Sequence, residues 1–322
     1  GLWADIFLIV PATANTMSKM ASGNSDNLLL AIYLSAKCPV YVAPAMDLDM
    51  YRHASSKTSM STLQSYGNII IPAEVGELAS GLVGAGRMAE PATIVKFIES
   101  HILEGLPLYQ KKILITAGPT YEAIDPVRFI GNHSSGKMGF EIAKAASNLG
   151  AEVRLITGPT HQKISSNLIT VIPVVSAQEM YEQVHQFYEN CDIAILSAAV
   201  ADYKIKVISN QKIKKEEHSL TLELEKTQDI LASLGKLKNN QLLVGFALET
   251  DNEITNAIKK LKNKNLDLIV LNSLSDKGAG FGTNTNKVTL IKRDLSTTNF
   301  PLKSKAEVSK DILNEILKLI DA

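Results

Sequence analysis

Residues 131–138 read GNHSSGKM, placing two hydroxyls, a glycine and a lysine within eight positions. Gly131, four residues, Gly136 and Lys137 follow the phosphate-cradling pattern up to its last position, where a magnesium-holding Ser or Thr belongs and Met138 stands. A nucleotide P-loop also leaves its strand directly. Here the strand-like KILITAG ends at Gly118, and PTYEAIDPVRFIGN, with Pro126 and two acids in its middle, intervenes. Ser134, Ser135, Gly136 and Lys137 nevertheless precede the helix-period KMGFEIAKAASNLG. Exposed amides and the helix dipole make such a start a good anion grip. The alternative is a plain N-cap supplied by Ser134 or Ser135.

Other residues invite similar weighing. Lys260 and Lys264 are spaced i, i+4, so both can face one polyanion, although a solvated lysine face is the commoner outcome. Lys212 opens KIKK in a charged, lysine-rich arm at 203–226. Phe246 ends a strand-like run in VGFALET, where an apolar wall or an ordinary core position are both possible. PATAN, at 11–15, is a strand-to-helix turn that Thr13 could cap. His133 reads as a packed or capping histidine, and GAGRM (84–88) is a weak glycine signal.

The elements needed to position these residues are those of an α/β protein. Short β-branched runs at 5–11, 39–44 and 68–72 alternate with helix-period stretches, notably 26–36 and 91–104. A second series runs 112–118, 152–158, 168–174, 192–198, 242–248 and 267–272, with helices over 137–148, 176–189, 252–264 and near 306–320. The expected fold is two Rossmann-like domains with mostly parallel sheets, residues 1–105 and 110–322, joined by a linker at EGLPLYQKK. The 322 residues suffice for two cores. Equal counts of 33 basic and 33 acidic residues give no sign of a nucleic-acid partner. The sequence shows no membrane-spanning run, and its two cysteines suit a reducing cytoplasm. A start at Gly1, already entering an apolar strand, reads as a segment of something longer.

ITAGPTYEAIDPVRFIGNHSSGKMG, SAAVADY (197–203), KIKK, VGFALET (244–250) and KNLDLIVLN (264–272) occur in that order. They resemble the ligase half of the bacterial bifunctional phosphopantothenoylcysteine decarboxylase/phosphopantothenate–cysteine ligases of coenzyme A synthesis. WADIFLIVPATANTMSKMASGNSDNLL (3–29), PAMDLDMY (44–51) and GELASGLVGAGRM (76–88) resemble the family's flavoprotein half. The resemblance implies CTP-dependent joining of 4′-phosphopantothenate to cysteine through an acyl-cytidylate, with magnesium riding on the triphosphate rather than held by the protein. It implies that Lys212 forms the cytidylate and Asn132 processes it. Asp202, Gln228, Asp229, Ile230, Phe246, Lys260 and Lys264 would surround the nucleotide, and Ser134, Ser135, Gly136 and Lys137 the substrate phosphate.

In the flavoprotein half the resemblance implies FMN, contacted by Thr13 and Asn15, and catalytic positions at Asp47 and Ser80. Asp47 stands where most members have Asn, and Ser80 replaces a proton-donating cysteine with a far weaker acid. The family's catalytic histidine would fall before Gly1, so the decarboxylase domain is expected to be incomplete and FMN to belong to the full-length parent. Ligase dimers and flavoprotein trimers are implied, combining to a dodecamer at full length. Two rivals remain. A dehydrogenase lacks its G-x-G-x-x-G, since TAGPTYE stands there. A non-catalytic flavoprotein-fold assembly or regulatory subunit would not need Lys212, Asn132 and Asp202 together.

Overall fold

The computed structural model describes residues 1–214, 220–273 and 282–320. Lys215, the last residue of KIKK, lies outside them. The chain divides into two compact units, Gly1–Glu104 and Gly105–Ala322.

In the first unit, β1 (Phe7–Ala12), β2 (Val40–Pro44) and β3 (Ile69–Ile70) form a parallel sheet in that order. Between them lie α1 (Ala14–Ser22), α2 (Leu28–Ser35), α3 (Leu48–Arg52) and α4 (Ala54–Ser65). The hairpin of β4 (Glu74–Glu77) and β5 (Val83–Arg87) and the helix α5 (Pro91–Glu104) complete the unit. The alternation of the strands sends Ile9, Val40 and Val42 towards Met17, Met20, Leu30 and Leu63, while Tyr41 and Ala43 meet Ile94 of α5. The hairpin packs closely on the turn after β2. A Cβ at Gly86, whose φ is +131°, would lie 2.4 Å from the Met46 carbonyl oxygen.

The second unit contains β6 (Lys112–Ala117), the hairpin β7 (Tyr121–Ala123) and β8 (Phe129–Gly131), α6 (Lys137–Asn148), β9 (Glu152–Thr157) and β10 (Ile169–Pro173). It continues with α7 (Ala177–Tyr188), β11 (Ile193–Leu196), the ribbon β12 (Tyr203–Ile205) and β13 (Leu224–Lys226), α8 (Ile230–Leu237) and β14 (Leu242–Glu249). Then follow α9 (Glu253–Asn263), β15 (Leu268–Ser273), β16 (Thr285–Asn286), β17 (Val288–Lys292), β18 (Thr297–Asn299), β19 (Lys303–Ser304) and α10 (Lys305–Ile320). The main sheet has the order β10-β9-β6-β11-β14-β15-β17-β18, parallel through β15 and antiparallel beyond it.

Both faces of that sheet are covered, which is why its strands are continuous apolar runs. Ile113, Ile115, Ile193, Ile195 and Val244 pack on α6 and α10. Leu114, Ala194, Leu196 and Leu243 pack on α7, α8 and α9. Each fully buried aliphatic side chain contributes about 1.5–3 kcal/mol. The first six strands carry the doubly wound order, in which direction reverses between β6 and β11. That reversal opens a crevice at the carboxyl ends of the two strands, and the site is built there.

The boundary between the units falls within EGLPLYQKK, and Leu108 of that stretch is fully buried in the second core, its N–H donating to the Leu149 carbonyl. Both hairpins and the antiparallel edge β17–β18 are elements beyond the strands expected from the sequence.

Candidate functional site

A cavity of about 800 Å³ opens at the switch point, within the range that small-molecule sites occupy. Thr116 at the end of β6 and Ser197 and Ala198 after β11 form its floor. One wall is the amino end of α6. Gly136 there has φ +76°, and a Cβ on it would come within 3.2 Å of Gly118. Gly139 is equally constrained, since a Cβ would strike Ala117 at 2.6 Å and the Ser197 hydroxyl at 2.7 Å. These glycines let the helix start sit directly over the strand end.

No side chain caps α6, and its first turn holds no acid. Ser134 accepts the Gly136 N–H at 3.3 Å instead of capping the turn, and the Ser135 carbonyl accepts the Thr160 hydroxyl at 2.7 Å. The amides of the first turn are therefore open to an anion. Lys137 lines the cavity and donates to Asn284 Oδ1 at 2.7 Å. Lys305, 5% exposed, reaches the cavity from α10, and burial followed by the charge of Lys137 lowers its pKa.

The opposite wall comes from β14, α8 and α9. Lys260 donates to the Phe246 carbonyl at 2.6 Å, and burial, then Lys264, lowers its pKa. Lys264 pairs with Asp229 at 2.7 Å, and Asp229 also caps α8 by accepting the Ala232 N–H at 2.9 Å. Burial raises the Asp229 carboxyl, but the Lys264 and Ala232 hydrogen bonds outweigh it and hold the group below its ordinary range. Asp202, Gln228, Ile230 and Phe246 complete this side. The result is one cavity with a cationic pole at each end.

The structure thus brings together Asn132, Ser134, Ser135, Gly136, Lys137, Asp202, Gln228, Asp229, Ile230, Phe246, Lys260 and Lys264. Asn132 adds a complication, because its amide donates to the carbonyls of Ala199 (2.9 Å) and Val200 (3.3 Å). The donor expected for a substrate carbonyl is engaged in holding the loop after β11. Lys212 is exposed and does not line the cavity. Its neighbour Ile213 is instead tied to the turn between β7 and β8.

Sequence reasoning missed Lys226, Lys305, Asn272 and Asn286 in the lining. Asn272 carries a legible signal, a polar residue closing the apolar run of β15 at its carboxyl end, where open sheets bind ligands. Its Oδ1 is buried without a hydrogen-bond partner among the described residues.

In the first unit, the Thr13 hydroxyl accepts the Thr16 N–H at 3.2 Å and caps α1. Asp47 caps α3, accepting the Leu48 N–H at 2.6 Å. Ser80 is exposed in the β4–β5 turn and accepts the Leu82 N–H at 3.4 Å. The exposed side chain of Asn15 has no hydrogen-bond partner among the described residues, and the residue stands in the first turn of α1, just beyond the carboxyl end of β1. A free amide there fits the polar edge of a flavin ring. Among the described residues no group of three or more His, Cys, Asp or Glu could hold a metal ion, and no helix is long and apolar enough to cross a membrane.

Residues 108–320 match the family model described as DNA/pantothenate metabolism flavoprotein C-terminal domain, and residues 1–103 match that described as Flavoprotein. A relative named cysteine/cysteine sulfinic acid decarboxylase, from an unknown prokaryotic organism, is 54% identical over 99% of this chain and 90% of its own length. Coenzyme A biosynthesis bifunctional protein CoaBC of Bacillus subtilis (strain 168) is 48% identical over 98% of this chain and 79% of its own. A solved C-terminal domain of coenzyme A biosynthesis bifunctional protein CoaBC is 44% identical, with a TM-score of 0.58, over 67% of this chain and 99% of that one.

Proposed function

Since this chain belongs to the family of the DNA/pantothenate metabolism flavoproteins and the bifunctional CoaBC proteins, we propose that its second unit joins 4′-phosphopantothenate to cysteine at the expense of CTP. The protein is an enzyme of coenzyme A biosynthesis. The observation that carries the ligase reading is the cavity with two cationic poles. Joining a phosphorylated carboxylic acid to a nucleoside triphosphate crowds anions together, and preorganised cations at both ends offset that repulsion.

Lys260 and Lys264 hold the triphosphate with its magnesium. Phe246 supplies the apolar wall for the base, with Asp202, Gln228, Asp229 and Ile230 beside base and ribose. The open start of α6, with Ser134, Ser135, Gly136 and Lys137, takes the phosphate of 4′-phosphopantothenate. The substrate carboxylate attacks the α-phosphorus, an acyl-phosphate bond forms, and pyrophosphate leaves. The cysteine amine then attacks the acyl carbon, CMP departs, and the amine proton is lost. Lys212 neutralises charge in the first step by turning its long side chain towards the cavity from an arm whose backbone stays in place. Asn132 serves the second by exchanging one of its loop carbonyls for the acyl oxygen.

For the first unit the proposed reaction is decarboxylation of a cysteine-derived carboxylate, the chemistry common to the resemblance and to the name of the relative that is 54% identical. Thr13 and Asn15 would hold FMN, which when bound supplies the two-electron oxidation and re-reduction that release of carbon dioxide from a thiol substrate requires. Asp47 and Ser80 lie at the turns that would face that substrate. Self-association as ligase dimers and flavoprotein trimers belongs to the same reading.

The test is pyrophosphate release by the purified chain with 4′-phosphopantothenate, cysteine and magnesium, with CTP and ATP in parallel. Release that requires phosphopantothenate and is faster with CTP is expected. Equal rates with ATP would remove the nucleotide assignment, and no release from a folded sample would remove the ligase reading. Carbon dioxide release from phosphopantothenoylcysteine against free cysteine, with FMN added, tests the first unit.

A further inference from the structure

Asp125 takes no part in the cavity, yet it is the most heavily bonded carboxylate near it. Its residue is 3% exposed, in the turn between β7 and β8. Oδ1 accepts the N–H groups of Val127 (2.8 Å) and Arg128 (2.9 Å), which shapes the turn. Oδ2 accepts Arg128 Nε at 3.0 Å, a second guanidinium nitrogen, and the Ile213 N–H at 3.1 Å. Arg128 completes the ring by donating to the Ile213 carbonyl at 2.9 Å. The hydrogen bonds from Arg128 above all hold the Asp125 carboxyl well below the usual range, so the charge persists at any pH where the protein works.

Both backbone groups of Ile213 are thus gripped by one acid–base pair, about 85 residues away in sequence. A further contact, Ser209 N–H to the Ile124 carbonyl at 3.1 Å, ties the arm to the same turn. The arm leaves β12 and returns through β13, and among the described residues these bonds tie the stretch around residue 212 to the β7–β8 turn. We infer that Asp125, together with Arg128, is a positioning residue that fixes the arm carrying Lys212. This rests on the ligase reading for what Lys212 does, but the anchor itself can be tested without it.

The experiment uses the full chain with Asp125→Ala, with Arg128→Met as the milder variant because that side chain is 42% exposed. Amide hydrogen exchange is read first. Residues 209–213 should exchange more than about tenfold faster while β6, β11 and β14 stay protected. Unchanged exchange in the arm would overturn the anchor. Kinetics follow in wild-type and Lys212→Gln backgrounds. Asp125→Ala should lower kcat by about 10- to 50-fold with the nucleotide KM within about twofold, since misplacing a reacting group costs rate rather than binding. In the Lys212→Gln background the same change should cost less than about threefold, because the two act as a unit. An equal loss in both backgrounds would overturn the positioning of Lys212. Faster arm exchange in a protein whose wild type makes no pyrophosphate would uphold the anchor and overturn the ligase reading instead.

Discussion

The helix starts that follow β1 and β2 in the first unit and the one facing the cavity in the second are built from similar residues and finished differently. Thr13 closes α1 and Asp47 closes α3, each side chain accepting an amide of its own first turn. At α6 the corresponding place is taken by Gly136 in the left-handed region, no side chain caps the turn, and the first helical residue is Lys137. A lysine at a helix start opposes the dipole, and no acid in that turn offsets it. The helix α9 also lacks a side-chain cap, but Glu253 stands in its first turn. A capping side chain stabilises the fold whatever else it touches. An open, doubly positive start is a fold feature completed by an anion. Substitutions should therefore lower stability in the first unit, with any loss of cofactor or substrate contact added to it, and read out mainly as activity at α6.

The largest effect is expected from making α6 resemble its counterparts. Ser135→Asp places a resident carboxylate where the substrate phosphate is proposed to sit. The KM for 4′-phosphopantothenate should rise more than about 100-fold, as like charges brought together cost several kcal/mol. Thermal stability should rise by about 0.3–1 kcal/mol, because an acid suits a helix start. Weaker substrate binding in a more stable protein is the signature. An unchanged KM would show that the open start receives no substrate phosphate.

A smaller loss is expected at the far pole. Lys260→Met removes one charge-assisted contact, and the KM for nucleotide should rise by about 10- to 100-fold while that for phosphopantothenate changes little. The same variant has a pH signature. Burial lowers the folded-state pKa of Lys260 below 10.5, so between that lowered value and 10.5 the unfolded chain holds a proton that the fold has released. The Lys260 contribution to stability should therefore rise with pH across that window, and the cost of the buried charge is constant below it. Lys305, lowered by burial, adds the same slope, while Cys191 and Tyr188, whose pKa values burial raises, add the opposite one. Denaturant titrations of both proteins isolate Lys260: the stability of the wild type relative to Lys260→Met should rise across the window. A difference that does not change with pH would remove Lys260 as a source of the slope.

The doubly wound sheet was legible because strands buried on both faces are near-continuous apolar runs, such as KILITA and LLVGFALE. The start of α6 and the i, i+4 pair of Lys260 and Lys264 were legible from residue type and spacing, whereas Asn132, Asp202, Gln228, Asp229, Ile230 and Phe246 were legible only through the resemblance. Two kinds of feature were not. The pairings of β7 with β8 and β4 with β5 depend on three- to five-residue strands whose alternation is too short to read. Lys305 hid within an amphipathic helix, where nothing local separates a buried lysine from a solvated one. Lys212 shows the converse. Its motif is plain, yet its place depends on Asp125 and Arg128, a contact no local pattern encodes.

The smallest effects, and the sharpest division of roles, are expected in the first unit. Thr13→Ala should cost about 1 kcal/mol, the usual worth of an N-cap. Asp47 allows a finer cut, because it serves a short helix and stands at a proposed catalytic position. Asn caps a helix about as well as Asp, so Asp47→Asn should leave the melting temperature nearly unchanged, within about 0.5 kcal/mol, whereas Asp47→Ala should cost about 1 kcal/mol. The carboxylate accepts the Leu48 N–H at 2.6 Å, and an amide oxygen can accept the same bond. What Asn cannot supply is the negative charge. If carbon dioxide release falls in Asp47→Asn at unchanged stability, Asp47 acts through its charge and the turn is more than a cap. If both variants follow their stabilities alone, Asp47 closes a helix and nothing else, and the contrast with the open start of α6 stands in full.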